Sequence, residues 1–296
     1  MNSTTAMDLS NILSLDWKGK YFYVDLFPLM GSPYPMLLIF ISYLIFVLFI
    51  GPMWMKNRPP YNLLEVLRLY NAFQVCACTF IVVRAHLVHH YSFFTFSKCV
   101  LSPKPVGPND VLSVTQIAFH IDTYLFMHLR LLELIETIFF VLRKKFNQVS
   151  ALHMYHHIST ITLCWIFLKY RGGRMEIFIA VLNSYVHIIM YAYYFVSSFK
   201  RYRIITDKIK PFITIMQIVQ LNFILVQCVA ILLCEESFIN YILVGNFVIN
   251  IVLFTHFFVK AYMCKRKIRV PVDSNGNIEG FKKNAILNVH GIKSEC

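Results

Sequence analysis

The chain has 296 residues, of which 57% are hydrophobic and only 15% are charged. A soluble core cannot bury so many apolar side chains, so the composition excludes a water-soluble globular protein and indicates an integral membrane protein. The formal charge of +13 does not indicate a nucleic-acid partner, because the basic residues cluster at the ends of apolar runs, as membrane topology requires.

Seven apolar runs follow one another along the chain. A helix rises about 1.5 Å per residue, so about 20 apolar residues cross a hydrocarbon core roughly 30 Å thick. We therefore predict an all-α protein with a lumenal segment at 1–33, a seven-helix membrane domain at 34–263 and a cytosolic tail at 264–296. The polar first 30 residues lack the apolar core of a cleaved signal peptide. The predicted transmembrane helices are 35–55, 64–91, 114–142, 149–168, 176–199, 212–233 and 238–263.

The distribution of basic residues predicts the orientation. With the N-terminus in the lumen, 18 of the 28 lysines and arginines fall in cytosolic segments and seven in lumenal ones, Lys169 among them. This satisfies the positive-inside bias. Cys99 and Cys234 then lie on the lumenal side, where the compartment is oxidising. A disulfide between them is predicted, with two free thiols as the alternative.

Ionisable and amide side chains inside the predicted helices point to function, because each is costly in a membrane unless it faces a cavity or a partner. Four helices carry such residues on one face each. Counting residues from the predicted cytosolic ends places the four faces at a similar depth, so we expect them to converge. The faces are Arg130, Glu133, Glu136 and Thr137; His153, His156 and His157; Asn183, His187, Tyr191 and Tyr194; and Thr214, Gln217 and Gln220.

The pattern H-x-x-H-H occurs twice, once in LHMYHH and once in AHLVHH. The first box lies in the predicted layer of polar residues. The second begins roughly 36 Å along the second helix, at the lumenal boundary of the membrane. For His86, His89 and His90 we therefore predict an interfacial role, in which they cap the helix end or meet lumenal water.

Two other classes of membrane protein are open from these residues alone. Di-iron desaturases and hydroxylases also use histidine boxes, because imidazole is a good iron ligand, but such a site needs its boxes on one side of the membrane. A seven-helix receptor has the same topology and would use the histidines for hydrogen bonds between helices. Short loops and the dense layer of histidine, glutamate and amide side chains count against a receptor.

Several motifs in order along the chain resemble the very-long-chain fatty acid elongases, the membrane 3-ketoacyl-CoA synthases. Arg130 stands where that family has lysine, Glu136 where it has aspartate, and Pro211 where a second lysine is common. The family carries no second H-x-x-H-H box, which agrees with setting AHLVHH aside. The matching segments are GPMWMKNRPPYNLLEVLRLYNAFQV, RLLELIETIFFVLRKK, LHMYHH, NSYVHIIMYAYY and TIMQIVQ.

The resemblance implies a fold and an activity. The last six helices would form a barrel around a narrow acyl tunnel, open to the cytosol and closed towards the lumen of the endoplasmic reticulum. The enzyme would condense a long-chain acyl-CoA with malonyl-CoA and release CoA and carbon dioxide, with no cofactor or metal. Expected partners are these substrates, membrane lipid, the reductases and dehydratase of the elongation cycle, and further copies of the chain.

The resemblance and the chemistry of imidazole together assign the site residues. His156 is expected to be acylated, because neutral imidazole attacks thioesters, and Cys164 is expected to be a packing residue. The predicted catalytic residues are His156, His187, His153, His157, Glu133, Glu136, Asn183 and Gln217. The predicted substrate-binding residues are Arg130, Thr137, Tyr191, Tyr194, Thr214, Gln220, Arg143, Lys144, Lys145 and Lys210.

Overall fold

The computed structural model describes residues 23–89, 114–171, 174–234 and 237–264. Every regular element in these ranges is helical, so the predicted all-α class is confirmed. A helix occurs at each predicted position. The long helices are α1 (Tyr34–Met55), α2 (Leu64–His89), α3 (Val114–Leu142), α4 (Ala151–Tyr170), α5 (Arg174–Ser197), α6 (Arg203–Cys234) and α7 (Phe238–Phe258), and α7 continues into a π-helical turn at Val259–Met263.

Five helices in the described ranges are long and apolar enough to cross a membrane. They are α1, α2, α5, α6 and α7. Helices α3 and α4, which hold the glutamates and most of the histidines of the predicted site, are less apolar. The chain is therefore a multi-pass membrane protein in which the polar side chains are concentrated on α3 and its neighbours.

Pairs of helices bring these polar faces together. Helix α2 packs along α5, α6 along α7 and α3 along α4, and α4 also meets α7. Buried apolar side chains form one cluster between α1, α3 and α4, and a second cluster between α4, α5, α6 and α7. Many large apolar side chains on the outer faces are exposed, as expected for surfaces that meet lipid.

The two ends of α6 concern the predicted start of this helix and the predicted disulfide of Cys234. The helix begins at Arg203, so the predicted start at 212 is wrong, and Pro211 lies inside the helix rather than at its start. The hydropathy pattern missed this first part because charged residues such as Asp207 lower its mean hydropathy. At the other end, Cys234 is the last helical residue. Its predicted disulfide partner, Cys99, lies outside the described residues, so that bond stays a prediction.

The segment before α1 is fixed to the far end of α4. The ammonium group of Lys169 is fully buried, lies 2.8 Å from the Asp25 carboxylate and donates to the carbonyl oxygen of Met30 at 2.5 Å. The indole N–H of Trp165 donates to the carbonyl oxygen of Leu29 at 2.9 Å. Lys169, counted above as a loop charge, is therefore a helical residue that holds the N-terminal segment in place.

The second histidine box meets protein partners. The Nε2 atom of His86 lies 2.8 Å from the hydroxyl of Tyr185, and Nε2 of His89 lies 2.7 Å from a carboxylate oxygen of Asp122. The side chain of His89 is only 2% exposed, so the prediction that it meets lumenal water is wrong. Packing of α2 against the flanking helices buries this side chain. His90 lies outside the described residues.

Candidate active site

The buried carboxylate of Glu133 lies at the centre of the polar layer. One of its oxygens is 2.8 Å from Nη1 of Arg130, 3.0 Å from Nδ1 of His187, and accepts a hydrogen bond from the hydroxyl of Tyr191 at 3.1 Å. The other oxygen is 3.8 Å from Nδ1 of His157. A charge removed from water needs such partners. Glu133 therefore compensates the arginine and orients the histidines.

The guanidinium of Arg130 joins three helices. Its Nη1 atom donates to Oδ1 of Asn183 at 3.0 Å and lies 2.6 Å from Nδ1 of His187, both on α5. Its Nη2 atom is 3.6 Å from the sulfur of Cys78 on α2, and the group lies 4.7 Å from the ring centre of Phe126 on α3. The planar guanidinium group carries several N–H donors in fixed directions, whereas a lysine carries one compact ammonium group on a flexible stem.

The second glutamate of α3 is held by tyrosines. One oxygen of Glu136 accepts a hydrogen bond from the hydroxyl of Tyr70 at 3.0 Å and another from the hydroxyl of Tyr191. Gln74 in turn donates to the Tyr70 hydroxyl at 2.7 Å, and the ring of Tyr194 lies 6.1 Å from that of Tyr191. The two carboxylates thus share Tyr191, which places them in one hydrogen-bonded network.

The imidazole of His156 has a different kind of partner. Its Nδ1 atom is 3.1 Å from Oδ1 of Asn250 on α7. The amide nitrogen of Asn250 donates to the carbonyl oxygen of Asn246 at 2.9 Å, which fixes the orientation of the amide. Because an amide oxygen only accepts, Nδ1 of His156 carries the proton and Nε2 keeps its lone pair. The hydrogen bond thus leaves Nε2 of His156 unprotonated.

Sequence reasoning missed two of the three asparagines of α7 as site residues. Asn246 and Asn250 are 8% and 2% exposed and lie four residues apart, so they share one helix face. A signal was available, because α7 is otherwise strongly apolar and an amide inside a membrane helix is costly unless it has a partner.

The first histidine of the box, His153, contacts a hydroxyl. Nε2 of His153 is 2.9 Å from Oγ1 of Thr137, which is also 2.8 Å from the hydroxyl of Tyr43 on α1. Donor atoms of Glu136, His153 and His157 lie within 4.8 Å of one another, close enough to hold a metal ion. The Nε2 atom of His153 and one oxygen of Glu136 are, however, already engaged in the hydrogen bonds described above.

An elongated pocket extends from His156 into the bundle and has an empty volume of about 630 Å³. His156 and Phe167 both line it, and a separation of eleven residue steps along the helix corresponds to roughly 16 Å. Most of its wall is apolar. The lining residues are Thr123, Phe126, His156, Thr160, Leu163, Cys164, Phe167, Glu176, Ile179, Asn183, Gln220, Leu221, Ile224, Leu243, Asn246, Phe247 and Asn250.

The predicted residues of α6 lie at the edge of this arrangement. Gln220 lines the pocket, and its amide nitrogen is buried with no hydrogen-bond partner among the described residues. Gln217 donates to the sulfur of Met190 at 3.1 Å, and Oγ1 of Thr214 is 3.4 Å from the hydroxyl of Tyr262. The structure therefore brings Gln220 to His156 but gives Gln217 and Thr214 other neighbours.

The predicted basic residues lie away from the pocket. Arg143 and Lys144 are partly buried at the end of α3, and the ammonium group of Lys144 donates to the carbonyl oxygen of Lys56 at 3.2 Å. Lys145 and Lys210 are exposed. These cations surround the end of the bundle where α1 and α3 finish and α6 begins.

Comparisons with known proteins identify relatives of this chain. The sequence pattern described as "ELO: GNS1/SUR4 family" matches residues 28–269, which include all the long helices and the whole site. Very long chain fatty acid elongase 4 of Macaca mulatta is 31% identical over 287 residues, covering 96% of this chain and 88% of that protein, and the human protein of the same name gives the same values. Very long chain fatty acid elongase F of Drosophila melanogaster is 33% identical over 215 residues, covering 72% of this chain and 81% of that protein.

Proposed function

Because the chain belongs to the ELO (GNS1/SUR4) family and is an enzyme of very-long-chain fatty acid elongation, we propose that it condenses acyl-CoA with malonyl-CoA through an acyl group carried on His156. The observation that supports this assignment is the hydrogen bond from His156 to Asn250. That bond leaves the lone pair of Nε2 available at the wall of a long apolar pocket. The other histidines of the box have their Nε2 or Nδ1 atoms near hydroxyl or carboxylate groups.

In the first step, Nε2 of His156 attacks the thioester carbonyl carbon of acyl-CoA. A carbon–nitrogen bond forms, the carbon–sulfur bond breaks, and CoA leaves as a thiolate that takes up a proton. The acyl-imidazolium keeps its own proton on Nδ1, directed at Oδ1 of Asn250. Such an acylated imidazole is reactive enough to pass the chain to a carbon nucleophile.

In the second step, malonyl-CoA loses carbon dioxide. The electron pair of the broken carbon–carbon bond passes into an enolate, whose carbon attacks the acyl carbonyl. The carbon–nitrogen bond then breaks, which returns neutral His156 and releases a 3-ketoacyl-CoA two carbons longer. The step creates negative charge on oxygen, and preorganised donors lower its barrier.

Two amide groups are suited to that task. Arg130 donates to Oδ1 of Asn183, so the amide orientation is fixed and the N–H groups of Asn183 remain for a ligand. The amide nitrogen of Gln220 has no partner among the described residues. Both side chains line the pocket with His156. His187, held between Arg130 and Glu133, is proposed to help position the reacting groups.

The pocket suggests where the acyl chain lies. We propose that the acyl chain of the substrate occupies this pocket and runs from His156 towards Phe167. The pocket would lie within a barrel formed by the last six of seven spanning helices. The CoA phosphates would meet the basic end of the bundle, which we place in the cytosol on the distribution of charge. The endoplasmic reticulum is the proposed location, with no cofactor and with the elongation-cycle enzymes as partners.

The test is condensation by purified protein with a panel of acyl-CoAs and labelled malonyl-CoA. We expect His156→Ala to lower the rate by at least about three orders of magnitude, as loss of a nucleophile does. His86→Ala, in the second box, is the matched control and should retain activity. Mass spectrometry of the quenched enzyme should locate the acyl group on His156. An adduct on Cys164, or normal product formation by His156→Ala, would show the nucleophile to be wrong.

A further inference from the structure

The first helix reaches the histidine box through one side chain. Tyr43 of α1 is 7% exposed, and its hydroxyl lies 2.8 Å from Oγ1 of Thr137, a fully buried residue of α3. The same Oγ1 atom lies 2.9 Å from Nε2 of His153 on α4. The first helix, which carries none of the predicted site residues, thus contributes to the site.

We propose that Tyr43 is a positioning residue of the active site, which fixes the orientation and tautomer of His153 through the hydroxyl of Thr137. This inference rests on the proposed function, because it takes the histidine box to be the place of reaction. It adds a residue outside the predicted catalytic set and outside the helices that line the pocket. Tyr43 itself does not touch the pocket.

The chemistry of a hydroxyl group explains the coupling. The Thr137 hydroxyl has one proton and two polar neighbours, so it donates to one of them and accepts from the other. If Tyr43 donates to Thr137, then Thr137 donates to Nε2 of His153. If the chain of bonds runs the other way, Nε2 carries the proton. Either way the tautomer of His153 and the hydroxyl of Tyr43 change together, and bonds in such a chain reinforce one another.

The attachment of α1 keeps this hydroxyl at a fixed distance. At Gly51, an added Cβ would lie 2.7 Å from Cγ1 of Val141, so the backbone of α1 approaches α3 closely at this point. Beyond the end of α1, the backbone N–H of Tyr61 donates to the carbonyl oxygen of Leu142 at 3.0 Å. Between Tyr43 and Gly51 lies a π-helical turn, Phe46–Ile50, and such turns are frequent at functional sites.

The orientation of His153 matters to the rest of the box. Its ring meets that of His157 edge-on, with centres 4.3 Å apart, and His157 in turn meets His156 with centres 5.8 Å apart. A rotation of the His153 ring therefore displaces the neighbours of the nucleophile. Small misplacements of reacting groups lower the rate of the chemical step more than they weaken substrate binding.

The experiment compares Tyr43→Phe, Thr137→Val and the double variant in the condensation assay. We expect each single change to lower kcat by roughly five- to tenfold, the loss expected for one hydrogen bond, while KM for both thioesters stays the same. The double variant should be no slower than Thr137→Val, because both changes interrupt one chain of bonds. Thr137→Ser, which keeps the hydroxyl, should restore kcat. Tyr34→Phe, at a 45% exposed position of the same helix, is the matched control.

The competing interpretation is that the hydroxyl of Tyr43 only holds α1 against α3. In that case the variants would yield less folded protein in size-exclusion chromatography, but the folded fraction would turn over at the normal rate, which would overturn the inference. Additive losses in the double variant would do the same. Should Tyr43→Phe not fold, Thr137→Val decides alone, and a normal kcat there refutes the proposal. His156→Ala is measured in parallel: full activity in that variant refutes the proposed function itself, whereas inactivity there with a normal Tyr43→Phe refutes only the role of Tyr43.

Discussion

The pair of Glu133 and Arg130 offers a direct test of how the site holds its charges. Their side chains are 1% and 2% exposed, and their closest atoms lie 2.8 Å apart. Glu133→Gln removes the negative charge while keeping the size of the side chain and an oxygen that accepts from Tyr191. Removing one partner of a buried pair costs about 3–5 kcal/mol, because the remaining charge loses its compensation. The retained amide oxygen places glutamine near the lower limit, about 3 kcal/mol.

Thermal unfolding of the purified protein in detergent measures this cost. For a chain of this size 1 kcal/mol corresponds to roughly 2–4 °C, so we expect Tm to fall by on the order of 10 °C. Arg130→Met combined with Glu133→Gln removes both charges and should recover most of the loss. The matched control is Glu65→Gln, which breaks the exposed 2.6 Å pair with Arg68, worth at most about 1 kcal/mol. An unchanged Tm for Glu133→Gln, or a double variant that loses the sum of both singles, would refute the reasoning.

Three further predictions test the site and the packing of α1. Asn250→Ala frees Nδ1 of His156 and should lower kcat of the folded protein by about 10- to 100-fold, whereas Asn222→Ala, at an exposed position where the amide donates to the Ile218 carbonyl of its own helix, should leave kcat unchanged; equal effects would contradict the role of the amide. Gly51→Ala places a Cβ 2.7 Å from Val141 and should destabilise by about 1–3 kcal/mol in the unfolding assay, while Gly245→Ala, where a Cβ meets nothing within 4 Å, should not. Treatment with a strong chelator should leave condensation unchanged; loss of activity that one metal ion restores would establish a metal site.

Hydropathy and spacing predicted the helices well because both properties are local. Both ends of α1 and α3 and the start of α7 fall within about a residue of the apolar runs, since the bilayer requires apolar side chains through its whole thickness. The start of α6 was missed because hydropathy detects only the apolar part of a helix. Its first two turns, from Arg203, carry charges and lie outside the apolar run, and the helix continues through Pro211. A membrane helix tolerates proline where neighbouring groups satisfy the freed carbonyl.

The site was predictable only as far as single helices determine it. Helical spacing placed Arg130 and Glu133 on one stripe, and the structure brings that stripe to His187. The same stripe includes Glu136, yet this carboxylate meets Tyr70 of α2 and Tyr191 of α5. Which neighbour a side chain meets depends on how each helix is rotated about its axis, and packing between helices sets that rotation. A single sequence does not contain this information in its periodicity.

The two H-x-x-H-H boxes show why partners, and not spacing, decide the chemistry of a histidine. In the first box, Nδ1 of His156 donates a hydrogen bond to the amide oxygen of Asn250, which leaves Nε2 unprotonated on a residue that lines the pocket. In the second box, Nε2 of His89 is directed at the carboxylate of Asp122, which also accepts from Arg84, and the ring is stacked on an aromatic side chain. Nucleophilic attack requires a lone pair that faces substrate. Under the proposed function Nε2 of His156 supplies that lone pair, whereas His89 uses the equivalent nitrogen to bind a carboxylate and so serves the packing of α2 against α3.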